Sequence, residues 1–151
     1  MENLINNLEE NRLILIKGKK YKVNTKTWYC IEEDKDACYI KCELSDNKVL
    51  VIIPDDNLVY LGQVIKDMEY ERIDKEQIKY KNNLFQKTGD GHQFIKEIEF
   101  GTEEEIEGKC IFEDYEFGNH IISLGILTDK NNLRADVYAD IVEITDIEFE
   151  R

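Results

Sequence analysis

After its first dozen residues the chain alternates apolar and polar positions with a period of two almost to its end. KYKVN, TWYCIE, ACYIKCEL, KVLVII and NLVYL are short runs rich in β-branched and aromatic residues, the side chains that suit a pleated, half-buried surface. The turn formers EEDKD, SDN and PDDN separate these runs, so the first half reads as a meander of antiparallel strands. Ahead of it, MENLINNLEENR sets Leu4, Ile5 and Leu8 on one face, the spacing of a short amphipathic helix.

The second half follows the same pattern. QIKYKNNLFQK and HQFIKEIEF flank Thr88-Gly89-Asp90-Gly91. Asp-Gly between alternating runs is a strong hairpin signal, because glycine readily takes the positive φ that the turn needs. KCIFEDYEF, HIISLGIL, LRADVY and DIVEITDIEF come next, punctuated by Gly118-Asn119 and TDKNN. Pro54 is the single proline and falls at a strand end, where its missing N–H harms no ladder. GTEEEIEG reads as a loop or strand edge.

The pattern predicts a mainly β fold: antiparallel strands in a barrel-like or two-sheet arrangement, with a short N-terminal helix. Residues 1–151 form one globular unit, divisible into possible halves 13–65 and 76–151. An internal echo sets Leu44-Ser45-Asp46 and Asp56-Asn57-Leu58-Val59 beside Leu127-Thr128-Asp129 and Asp140-Ile141-Val142. Duplication and chance likeness between Asx-rich turns both account for it. The expected core is Trp28, Ile31, Ile40, Val49, Val51, Ile53, Val59, Phe94, Ile98, Ile111, Ile122, Leu124 and Ile126. A one-residue register error would exchange the faces.

The succession IKYKNNLFQK, HQFIKEIEFG, CIFEDYEF, HIISLGIL and ADVYADIVEI resembles the bacterial family catalogued as domain of unknown function 4178. The likeness covers mostly residues 76–147, and more loosely 20–65 through Trp28 and Tyr29. Thr102 follows Gly101 where that family commonly has an acid. The resemblance implies a β domain and brings no reaction and no functional residue with it.

Charge narrows the function classes. With 33 acids against 20 bases, the net charge is -13, which repels nucleic-acid phosphates and anionic membranes. The longest apolar run near the start, Leu13-Ile14-Leu15-Ile16, is far shorter than a secretory core or a membrane span. A cytoplasmic location is therefore expected.

Motif by motif, catalytic chemistry is not evident. QKTGDGHQF lacks the glycine spacing and lysine of a phosphate loop, and Asp90 alone is not a calcium array. Cys30, Cys38, Cys42 and Cys110 match zinc in number only. Cys38 and Cys42 would lie roughly 13 Å apart along a strand rising ~3.3 Å per residue. Cys38, Ile40 and Cys42 alternate with Tyr39, Lys41 and Glu43, so the cysteines are read as small apolar side chains facing the core. No metal, cofactor or catalytic residue is expected.

What remains is an acidic, aromatic stretch. Glu103, Glu104, Glu105 and Glu107, followed by Glu113, Asp114, Tyr115 and Phe117, read either as a solvated, edge-guarding charge run or as a contact surface with aromatic anchors. The expected function is a non-catalytic cytoplasmic protein-binding or accessory module, whose partner is another, basic protein. Two alternatives stand beside it. One is a small-molecule binder or enzyme with a pocket between β strands, using His92 or His120 as its titratable group. The other is a domain that assembles with itself through an edge strand.

Overall fold

The computed structural model describes residues 1–101 and 109–150. Helix α1 (Glu2–Asn7) precedes β1 (Leu13–Ile16), β2 (Lys19–Lys22), β3 (Lys26–Ile31), β4 (Asp34–Glu43) and β5 (Lys48–Ile53). Next come β6 (Leu58–Ile65), β7 (Glu71–Arg72), β8 (Gln77–Tyr80) and the long β9 (Asn83–Phe100). The chain ends with β10 (Cys110–Phe117), β11 (His120–Leu127), β12 (Leu133–Arg134), β13 (Asp136–Val142) and β14 (Ile147–Phe149). No helix among the described residues is long and apolar enough to cross a membrane.

The mainly β, antiparallel fold expected from the alternation is the fold observed. Eight strands close a barrel in the order β3-β4-β5-β6-β13-β11-β10-β9, with β9 returning to β3. Strands β14-β1-β2 make a separate three-stranded sheet. Closure removes the barrel's own edges. Lys19, Lys20 and Lys22 occupy the edge strand β2 of the small sheet, and such charges oppose strand addition.

The two halves of the barrel run alike: β3-β4-β5-β6, then β9-β10-β11-β13, meeting at the antiparallel pairs β6–β13 and β3–β9. In each half a 3₁₀ turn joins the third and fourth strands, Pro54–Asp56 in one and Thr128–Lys130 in the other. Each turn ends on a left-handed asparagine, Asn57 at φ 51° and Asn131 at φ 56°. This equivalence pairs the joint after Ile53 with the joint after Leu127. The echo read from the sequence had paired Leu44 with Leu127, which are joints of different kinds.

The Asp-Gly hairpin does not form. Thr88 to Gly91 lie within β9, where Gly89, Asp90 and Gly91 pair with Asp114, Glu113 and Phe112 of β10. The turn lies upstream, inside the run QIKYKNNLFQK: Lys81 and Asn82, at φ 47° and 66°, connect β8 to β9. Two consecutive positive φ values are what a tight two-residue hairpin requires, and asparagine tolerates them. Gly91 serves contact instead, since a Cβ there would lie 3.2 Å from Glu33 Oε2 and 3.3 Å from the Phe112 ring.

Two hydrophobic clusters pack against the outside of the barrel wall. In the first, Leu4 and Leu8 of the helical segment and Ile14, Ile16 and Tyr21 of the small sheet cover Ile40, Cys42, Leu50, Ile52 and Val59. In the second, Met68, Ile78, Tyr80 and Phe85 cover Tyr115, Ile122 and Leu124. A fully buried aliphatic side chain of this kind contributes about 1.5–3 kcal/mol. Lys26, on β3, ties the helix down: its buried Nζ donates to Ile5 O at 2.8 Å and pairs with Glu99 at 3.2 Å.

Of the expected core, Ile40, Val49, Val59, Ile122 and Leu124 are buried, while Trp28, Ile31, Val51, Ile53, Phe94 and Ile126 are half-buried. Ile98 and Ile111 are exposed, at 42% and 37%. Two register shifts between β3 and β9 break the alternation that had placed Ile98 inside. Two of the four cysteines differ from expectation. Cys30 and Cys38 stand directly opposite on β3 and β4 and form a disulfide, while Cys42 and Cys110 are buried thiols.

Candidate functional site

With its two hydrophobic clusters outside the wall, the barrel holds a cavity of about 590 Å³ that opens to solvent. Alternation on each strand decides what enters it. On β5, Val49, Val51 and Ile53 face the cavity, while Leu50 and Ile52 face the outer cluster. On β11, Ile121 and Ser123 face in, and Ile122 and Leu124 face out. After Lys48 the run VLVII is apolar at every position because both faces of its strand are covered. Small residues on β11 and β13, namely Ser123, Gly125, Val137 and Ala139, leave the space open.

The polar lining is mainly acidic. Asp114 and Glu116 of β10 face the cavity, Asp55 and Asp56 border it from the 3₁₀ turn after β5, and Tyr60 stands beside them on β6. Asp114 is half-buried on the cavity wall. Burial pushes its carboxyl up to about 6, the hydrogen bond with Ser123 opposes that rise, and the like charge of Glu116 adds to it. The Tyr60 phenol is also held above its ordinary pKa, first by burial and then by Asp114, Glu116 and Asp56. Across the lumen, Tyr39 donates its hydroxyl hydrogen to Gln93 Oε1. Lys41, only 6% exposed, lines the same side.

The anticipated contact surface is taken apart by this alternation. Glu103, Glu104, Glu105 and Glu107 lie outside the described residues. Asp114 turns into the barrel. Tyr115 turns outward but is fully buried in the second cluster, so it is not an exposed anchor. Its hydroxyl donates to Glu113 Oε1 at 2.8 Å and accepts from Arg72 at 3.1 Å, and Arg72 also reaches Glu113 at 3.0 Å. This bonding spends Glu113 on fastening β7 to the barrel. Phe117 alone stays exposed, stacked on His120 with centroids 6.4 Å apart.

Neither histidine lines the cavity. His92 Nδ1 pairs with Glu33 at 2.5 Å on the β3–β4 turn, and His120 Nδ1 pairs with Asp140 at 2.5 Å between the rings of Phe117 and Tyr138. Among the described residues no group of His, Cys, Asp and Glu side chains is arranged to hold a metal ion.

Sequence reasoning passed over Asp55, Asp56, Tyr60 and Glu116. The signal for Asp55 and Asp56 was the unbroken apolar run VLVII, which marks a strand covered on both faces, followed by Pro54 and then the two acids. No protein-family model, curated protein or solved structure matches the chain.

Proposed function

We propose that this protein is a small-molecule binder whose ligand lies in the barrel lumen. The observation that carries the proposal is a cavity of about 590 Å³ at the centre of a closed eight-stranded barrel. Small-ligand sites typically fall within about 300–1,000 Å³, and eight strands are the number at which a barrel holds one small ligand or fills with side chains. Apolar side chains such as Val49, Val51, Ile53 and Phe112 share the lining with placed polar groups, as in sites that fix a ligand's orientation.

This reading takes the second expectation from the sequence in preference to protein contact through an acidic strand, because Tyr115 and Asp114 are committed elsewhere. It concerns binding and assigns no reaction. The likeness to domain of unknown function 4178 stays with it as a proposal resting on strand and aromatic patterns.

The test is thermal shift across a chemically varied small-molecule panel, on the native chain and on Val51→Trp, which places a large ring in the lumen. Compounds that raise Tm in the native chain but not in Val51→Trp support the proposal. Equal shifts in both proteins place binding elsewhere and overturn it.

A further inference from the structure

We infer that the lumen takes an organic cation, an amine or guanidinium group carried on an apolar body. This rests on reading the lumen as the ligand site, and it follows from how charge is distributed there. Six carboxylates border the cavity, those of Asp34, Asp55, Asp56, Asp90, Asp114 and Glu116, against the single lysine Lys41. Three of the six have polar partners: Asp90 pairs with Lys87 at 2.6 Å, Asp34 accepts the backbone N–H of Asp36 at 3.2 Å, and Asp114 accepts the hydroxyl of Ser123. Among the described residues no ion pair engages Asp55, Asp56, Asp114 or Glu116.

Asp56, Asp114 and Glu116 all line the same cavity as Tyr60 and each acts electrostatically on its hydroxyl. Lys41 Nζ lies 6.0 Å from the centre of the Tyr29 ring on β3. Val49, Val51, Ile53 and Phe112 supply the apolar surface beside the acids.

A cation on an apolar body matches each part of this lining. Its charge would meet the carboxylates by charge-assisted hydrogen bonds, a ring face can stabilise it further, and its body would displace water from aliphatic surface. An anion would meet like charge. A neutral ligand would leave the Asp114 carboxylate enclosed without a counter-charge, which is unfavourable. A bare divalent ion lacks its ligand set, since no cluster of three ligating side chains exists among the described residues.

Isothermal titration with three indoles of similar shape tests this: tryptamine (a cation), tryptophol (neutral) and indole-3-propionate (an anion). At pH 7.5 tryptamine should bind at least about ten-fold tighter than tryptophol, the usual gain from a charged hydrogen bond, and the propionate should bind weakest. Asp114→Asn should remove most of the preference for tryptamine while leaving tryptophol unchanged. Glu97→Gln, on an exposed acid outside the cavity, should change neither. Lowering the pH through 6 should weaken tryptamine alone, because Asp114 then takes up a proton among Glu116, Ser123, Tyr60 and Asp56, with Lys41 opposite.

Equal affinity for all three indoles, lost in Val51→Trp, would leave the lumen reading standing and overturn the cation inference. Tryptamine binding unaffected by Val51→Trp would overturn both. No measurable tryptamine binding at millimolar concentration would also overturn the cation inference. Should Val51→Trp fail to fold, Ile53→Trp fills the same cavity.

Discussion

Asp114 holds its charge at a cost to the fold. Its carboxyl titrates at about 6 because burial disfavours the ion, the Ser123 hydrogen bond only partly offsets this, and Glu116 adds like charge. A raised carboxyl pKa means that the folded chain holds the proton more tightly than the unfolded chain. The contribution to stability is then fully present below the unfolded value of about 3.9 and is lost as pH rises through about 6. Asp114→Asn should therefore stabilise the protein at pH 7.5, by up to about 3 kcal/mol, taking 1.36 kcal/mol per pKa unit. The gain should vanish near pH 4, and urea denaturation at the two pH values measures it. A residue that lowers stability at working pH is expected where ligand binding needs a charge. The strand pattern EDYEF made the separation of Asp114 and Glu116 from Glu113, Tyr115 and Phe117 legible in the sequence. It did not say which face was enclosed, because period two marks two faces without ranking them.

At the scale of elements, the β3–β4 hairpin carries two fasteners that act under different conditions. The Cys30–Cys38 disulfide closes a loop with a sequence separation of 8, and loop-closure entropy puts its stabilisation at about 2.5 kcal/mol. Cys30→Ala/Cys38→Ala should lower the urea midpoint accordingly, and dithiothreitol should then have no further effect on the double variant. The second fastener is the His92–Glu33 pair. Glu33 also accepts the His92 backbone N–H at 3.0 Å, and Glu32 donates its own N–H to His92 O at 2.8 Å. Glu33 holds the His92 pKa up, and His92 holds the Glu33 pKa down, each chiefly through their shared side-chain hydrogen bond. The histidine's share of stability is lost as pH rises through its raised value, and the glutamate's share is lost as pH falls through its lowered one. The pair thus acts most strongly between the unfolded values of about 4.3 and 6.5. Amide exchange at Glu32 should be slowest there, after correction for intrinsic rates, and the pH dependence should disappear in His92→Ala. Nothing in the sequence placed His92 beside Glu33, since 59 residues separate them and the turn assigned to Asp90-Gly91 folded the chain in the wrong place. Local turn chemistry favoured a bend at Asp90-Gly91, whereas pairing along β10 keeps that segment extended. Lys81-Asn82 takes up the reversal instead.

The whole molecule is organised around its wall. Alternation was enough to anticipate antiparallel strands, and helical spacing the short helix, because each is a consequence of local pattern. A barrel-like and a two-sheet arrangement both fitted that pattern, and the barrel is the one observed. A pocket between β strands stood among the expectations, but its lining was not anticipated, because that depends on which of two apolar faces meets the other elements. Val49, Val51 and Ile53 were taken as core, yet they line the lumen, while Leu50 and Ile52 carry the packing against the helix and the small sheet. This difference can be measured on adjacent residues of one strand. Ile52 is fully buried in the outer cluster, so Ile52→Ala removes packed atoms and should destabilise the protein by about 2–5 kcal/mol. Val51 borders space that already exists, so Val51→Ala creates little new void and should cost less than about 1 kcal/mol. Urea unfolding of the two variants compares them directly. Similar large losses would mean that the lumen is packed as tightly as the outer clusters, leaving no room for a ligand. A large loss at Ile52 alone would place the protein's stability in the outer clusters and leave the interior of the barrel free to bind.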